Sequence, residues 1–117
     1  MTENNKIIYA AANKCKHLEC DGTVKVLTYI MNENGIKHSV FMGTVEKISN
    51  DDIIPLHFWI ELPDGMTVDF KCRMWLGKDS PNGVFNKKDF PDYVYKGEAV
   101  NMPVKKIIYQ VLTNDFS

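Results

Sequence analysis

Residues 57–69, HFWIELPDGMTVD, constrain this 117-residue chain more than any other stretch. Residues 55–62 are mostly apolar and β-prone, with Phe58, Trp59 and Ile60 at their centre. Pro63, Asp64 and Gly65 supply turn chemistry, proline setting φ and glycine permitting φ > 0. Residues 66–70 read as the returning strand. The pattern predicts a β-hairpin with His57 near the start of its first strand and Asp69 near the end of its second. Residues about equally far from an antiparallel turn lie opposite each other. His57 stands seven residues before Asp64 and Asp69 five after it, so the two can be neighbours. On one face, the carboxylate can hold the imidazole. A histidine oriented by an acid is half of a nucleophilic triad and lacks only a thiol or hydroxyl from elsewhere in the chain.

The elements around the hairpin follow from periodicity and punctuation. Residues 5–16 read as a helix, with Ile7, Ile8, Ala11, Ala12 and Cys15 at helical spacing. Residues 16–19 break it. Asp21 or Thr23 can cap a second helix over residues 23–31, whose apolar face is Val24, Leu27, Ile30 and Met31, and Gly35 suits its left-handed end. Residues 36–48 read as a strand and 49–52 as a loop. The hairpin's second strand is expected to run on through Cys72, Met74 and Trp75. Residues 77–93 read as a long loop, 94–100 as a short strand, and Asn101 as the cap of a last helix with Pro103 in its first turn. Ile107, Ile108, Val111 and Leu112 give that helix its apolar face. The sum is a single α+β domain over residues 1–117: N-terminal helices, a Cys-bearing helix packed on an antiparallel β-sheet, and a closing C-terminal helix.

Charge excludes some partners. Fourteen basic and fifteen acidic residues leave a net charge of −1, which makes no electrostatic case for nucleic acid or an anionic membrane. No apolar run approaches the roughly 20 residues of a membrane span. The first residues, MTENNK, do not resemble a signal peptide. Three cysteines is an odd count, and without an export signal they are expected to be reduced thiols in the cytoplasm. No cofactor is implied.

Cys20 is the candidate nucleophile. It stands where a helix is about to begin, and the free N–H groups and dipole of a helix N-terminus favour a thiolate. The same N–H groups can stabilise an oxyanion. Cys20, His57 and Asp69 thus supply nucleophile, base and orienting acid in chain order. Each also has a plainer reading: a cysteine near a helix start as a small buried hydrophobe, a strand histidine as a satisfied core or surface residue, and Asp69 as a turn acid. Cys15, His17 and Cys20, with Cys72 or His57, form a competing zinc pattern. A third reading is a non-catalytic accessory factor that binds a partner protein, with Trp75 and the aromatics of residues 85–93 as its surface. His17 and His38 read as solvated polar residues.

Cys20-Asp21-Gly22-Thr23-Val24 resembles the Cys-Ser-Gly-Leu-Val segment at the active-site helix of NlpC-type cysteine peptidases, and the hairpin resembles that family's matching hairpin. HFWIEL followed by TVD is closer still to the His-Ala-Trp-(Val/Ile)-Glu hairpin and Val-Asp of transglutaminase-like proteins. Both families belong to the papain-like superfamily. The resemblance covers residues 18–70. It implies a Cys-helix packed on an antiparallel sheet, with Cys20 as nucleophile, His57 as general base and Asp69 as orienting acid. The implied activity is acyl transfer, either hydrolysis of a protein or peptide-like amide or transamidation. No upstream Gln or Trp stands out as an oxyanion donor. Tyr9 stands where NlpC-type sites carry an upstream Tyr, and also reads as a core residue.

Overall fold

The computed structural model describes residues 1–116. The chain runs α1 (Glu3–Asn13), α2 (Cys20–Glu33), β1 (Ser39–Lys47), β2 (Asp52–Glu61), β3 (Thr67–Asp69), α3 (Arg73–Leu76), β4 (Gly83–Phe85), β5 (Tyr93–Val100) and α4 (Lys106–Thr113). It is an α+β fold, with four helices and one five-stranded antiparallel sheet in the order β4-β3-β2-β1-β5.

Local chemistry sets the helix ends. The Thr2 hydroxyl accepts from the Asn5 amide at 3.1 Å and starts α1. α2 begins at Cys20, three residues earlier than the periodicity suggests, with Glu19 in the extended cap position. Gly22 fits inside its first turn because Leu18 packs over the helix there, 3.4 Å from where a Cβ would stand. The C-terminus of α2 is a Schellman cap: Ile36 N–H donates to Met31 O, Gly35 N–H donates to Asn32 O, and Gly35 has φ +65°.

The sheet is covered on both faces. On one, Ile8 and Ala11 of α1 and Val24, Leu27 and Met31 of α2 pack against Val40, Ile60 and Val68. On the other, Val45, Ile54 and Trp59 pack against Cys72, Leu76, Tyr93 and Phe90. The aromatics of residues 85–93 therefore hold that segment onto the sheet: Phe85 and Tyr93 are buried, and Phe85 meets Phe90 edge-on at 5.4 Å.

The hairpin forms with the expected turn, but its first strand begins at Asp52, which puts His57 in mid-strand rather than near the start. Gly65 takes φ +88° and the Asp64 carboxylate accepts from the Met66 amide at 3.0 Å. Its second strand is shorter than expected, however. β3 ends at Asp69, and Met74 and Trp75 lie on α3 instead of in the sheet. Asp69 causes the departure, because its Oδ1 accepts from the amides of Lys71 (2.9 Å) and Cys72 (3.1 Å) and turns the backbone out of the ladder. The segment read as a loop over residues 77–93 contains β4, which pairs with β3 at the sheet edge.

The last helix also differs. It begins at Lys106 rather than after an Asn101 cap: β5 runs to Val100, and Val100 and Met102 pack against the core under the first two helices, which holds the chain out of a helix there. Its expected apolar face is largely exposed: Ile107, Ile108 and Val111 are 53 %, 43 % and 62 % exposed. Tyr109 is the buried anchor, stacked on Tyr29 at 4.6 Å with its hydroxyl accepting from Lys14 Nζ at 3.0 Å. Among the described residues no helix is long and apolar enough to cross a membrane.

Candidate active site

His57 sits in the middle of β2, opposite Gly43 of β1. It shares a sheet face with Trp59, whose ring lies 6.3 Å away, nearly parallel. β2 pairs with β3 through Ile60↔Val68 and Glu61↔Thr67, which leaves His57 just beyond the end of the shorter strand. The Asp69 side chain reaches diagonally across that gap. His57 Nε2 and Asp69 Oδ2 are 2.7 Å apart, both side chains buried. A carboxylate only accepts, so Nε2 is the donor and carries a hydrogen.

Asp69 is held at both oxygens. Oδ1 takes the two backbone amides that turn the chain, and Oδ2 takes His57 and the Tyr95 hydroxyl, at 2.8 Å. Tyr95 arrives from β5, two strands beyond β2, its ring lying edge-on to Trp59 at 5.0 Å. Burial, followed by the charge of Asp69, raises the phenol's pKa and keeps it a donor.

Cys20 opens α2 as its first residue and is half-buried. Cys20 is among the groups that raise the imidazole's proton affinity, through both hydrogen bonding and charge. No hydrogen bond of good geometry ends on His57 Nδ1, even though that nitrogen is shut away from solvent. With Nε2 committed to Asp69, Nδ1 is the nitrogen left for the sulfur. A buried, unpaired ring nitrogen is costly unless chemistry requires it. Burial is the largest influence on His57 and pulls its pKa down. The Asp69 hydrogen bond, then Cys20, then the Asp69 charge outweigh it and raise the pKa from 6.5 to about 9.

The other two cysteines are placed differently. Cys15 and Cys72 are fully buried, and burial raises each thiol to about 11. Cys15 Sγ donates to Ala11 O at 3.4 Å, and His17 Nε2 bonds Leu112 O at 2.8 Å, tying the turn after α1 to α4. Among the described residues no three His, Cys, Asp or Glu side chains converge on a metal-binding geometry, so the pattern Cys15, His17, Cys20 is not assembled as a zinc site. His38 is half-buried, with Nδ1 bonded to Ile36 O at 3.0 Å. The Tyr9 hydroxyl accepts from the Val84 amide at 3.0 Å and ties α1 to β4.

Cys20 lines a crevice of about 10 Å³, room for a single water-sized atom, with Thr23, Phe58, Asp69, Phe70 and Lys71 among its other walls. An open concavity of about 440 Å³ is lined by residues that include Thr2, Asn5, Gly35 and Asp64. It lies at the C-terminal end of α2, about 20 Å from Cys20 along a 14-residue helix, and borders none of Cys20, His57 and Asp69.

Tyr95, Lys71 and Thr23 are the site residues that the sequence does not announce. The aromatic at position 95 of a strand-like segment is the one available signal, and it becomes meaningful only with the strand order. Comparison with protein-family models, with curated proteins and with solved structures gives no significant match.

Proposed function

We propose that this chain is a cysteine-dependent acyl-transfer catalyst with a papain-like arrangement, in which Cys20 is the nucleophile, His57 the general base and Asp69 the orienting acid. One observation carries the reading: a buried imidazole is fixed by a carboxylate at 2.7 Å through Nε2, its other nitrogen has no partner among the described residues, and the thiol at the head of α2 acts on the ring's proton affinity. In this mechanism His57 Nδ1 takes the proton of the Cys20 thiol. The sulfur attacks the carbonyl carbon of an amide or thioester. The carbonyl π electrons move to oxygen, and collapse expels the amine or thiol, which takes its proton from His57 Nδ1. Water or an amine then attacks the acyl-enzyme, giving hydrolysis or transamidation. A protein or peptide-like amide is the proposed substrate. Three unpaired thiols suit a reducing, cytoplasmic setting.

The test is the pH dependence of alkylation by iodoacetamide, with Cys20→Ser as the blank. Wild type alkylates rapidly at neutral pH, and His57→Ala shifts the profile to higher pH. A profile indifferent to His57 removes the catalytic reading. A non-catalytic binding module is the second reading, favoured by the exposure of Met74 and Trp75 on α3, 53 % and 58 %. It gains if the thiol is ordinary.

A further inference from the structure

We infer that Thr23 and Lys71 form the oxyanion pocket of this site, receiving the substrate's carbonyl oxygen in the crevice beside Cys20. The inference rests on the acyl-transfer reading and assigns the electrophilic part that Cys20, His57 and Asp69 leave unfilled. Three observations support it.

First, Thr23 lies one turn after Cys20 on α2 and is 2 % exposed, yet its Oγ1 has no hydrogen-bond partner among the described residues. A helical threonine ordinarily satisfies its hydroxyl on the carbonyl four residues back. Here the Glu19 carbonyl accepts the Thr23 amide at 3.0 Å but not its hydroxyl, and Thr23 lines the crevice. Second, Lys71 is 9 % exposed and borders the same crevice. Its ammonium donates once, to Cys15 O at 2.7 Å, so two of its three N–H groups have no partner among the described residues. A buried ammonium with spare donors suits a developing negative charge. Third, the crevice has room for one oxygen-sized atom, and Phe58 and Phe70 wall it, so the donors act in a low-dielectric space.

In the reaction, the Cys20 sulfur forms the S–C bond and the carbonyl π pair becomes the oxyanion. Lys71 Nζ–H and Thr23 Oγ–H donate to that oxygen without transferring their protons. Re-forming C=O expels the leaving group, which takes its proton from His57. Lys71 and Thr23 are thus catalytic residues, Lys71 aligned by the same turn that holds Asp69, since its amide donates to Asp69 Oδ1.

The experiment compares two reagents on the full chain. p-Nitrophenyl acetate acylates Cys20 through an oxyanion, read as a burst of p-nitrophenolate. Iodoacetamide alkylates the same sulfur at a saturated carbon, with no oxyanion. Lys71→Met and Thr23→Val are each expected to slow acylation by about 100-fold and to slow alkylation far less. Lys71→Arg restores part of the acylation rate. Thr23→Val melts no lower than wild type, because it removes an unpaired buried hydroxyl, and so gives a folded readout even if Lys71→Met does not fold. Acylation and alkylation falling in parallel, or acylation unchanged in Thr23→Val, overturns the oxyanion pocket while leaving the nucleophile in place. A wild type with no burst, whose alkylation ignores His57, overturns the acyl-transfer reading and the pocket together.

Discussion

Tyr95 and His57 share one oxygen. Asp69 Oδ2 accepts the Tyr95 hydroxyl at 2.8 Å and His57 Nε2 at 2.7 Å, so a residue from the edge strand β5 fixes the carboxylate that holds the imidazole. Tyr95→Phe removes one donor from a buried carboxylate and retains the ring that packs on Trp59. It is expected to cost about 1–2 kcal/mol in urea unfolding. Cys20 alkylation slows only severalfold, because His57 and two amides still hold Asp69. A loss of reactivity as large as that of His57→Ala would mean that Tyr95 takes part in the chemistry directly.

His57 makes stability depend on pH. Its pKa is raised from 6.5 in the unfolded chain to about 9 in the folded one, so the folded state binds this proton more tightly. The contribution is full below about pH 6.5 and is lost as pH rises through about 9, amounting to on the order of 1–3 kcal/mol. Urea unfolding at pH 6 and pH 9.5 measures it, and His57→Gln abolishes this part of the difference. Cys20 is one of the groups raising the imidazole, so Cys20→Ser is expected to lower the His57 midpoint in an NMR titration of the ring. An unmoved midpoint would place the thiol away from the ring.

Asp69→Asn separates orientation from folding. The side chain's size is kept, and its amide oxygen can still accept from the amides of Lys71 and Cys72. The amide nitrogen then faces His57 Nε2 and donates to it, which forces the neutral ring to carry its hydrogen on Nδ1. That nitrogen can no longer take the thiol proton. Acylation is expected to fall by on the order of 10³–10⁴-fold in a variant that still folds. Asp69→Ala instead strands four donors in the interior and is expected to destabilise the chain by about 3–5 kcal/mol. Far-UV circular dichroism with a p-nitrophenyl acetate burst assay distinguishes the two variants. An Asp69→Asn protein that acylates at the wild-type rate would remove Asp69 from the mechanism.

The hairpin is legible in the sequence because its signals are local: a Pro-Asp-Gly turn, β-prone flanks, and a His and an Asp at matching distances. The start of α2 is displaced in the sequence reading because Asp21-Gly22 has the composition of a turn, while burial of Gly22 under Leu18 decides the matter in three dimensions. The end of β3 is hidden because Asp69 does two things at once: Oδ2 orients His57 and Oδ1 breaks the strand. Tyr95 is invisible from sequence because its role depends on β5 pairing with β1, a contact between distant segments. The face of α4 is misjudged for a similar reason, since periodicity favours its Ile and Val residues while stacking on Tyr29 buries Tyr109.

Gly43 is expected to be the most sensitive glycine in the fold. It lies opposite His57 on one side and Gly97 on the other, at the irregularity in the β1–β2 register. A Cβ there would collide with the Lys96 carbonyl oxygen and come within 2.5 Å of Gly97 Cα, both backbone atoms that cannot swing aside. Gly43→Ala must therefore push β5 away from β1, loosening the strand that carries Tyr95. It is expected to cost about 3 kcal/mol and to lower the His57 NMR midpoint as the hold on Asp69 weakens. Gly22→Ala is the contrast. Its Cβ would meet Leu18 at 3.4 Å, an ordinary contact, and alanine is the better helix former by about 1 kcal/mol. Urea unfolding of the two variants tests the comparison. Equal stabilities would mean that the close approach of β1 and β5 at Gly43 does not constrain the sheet.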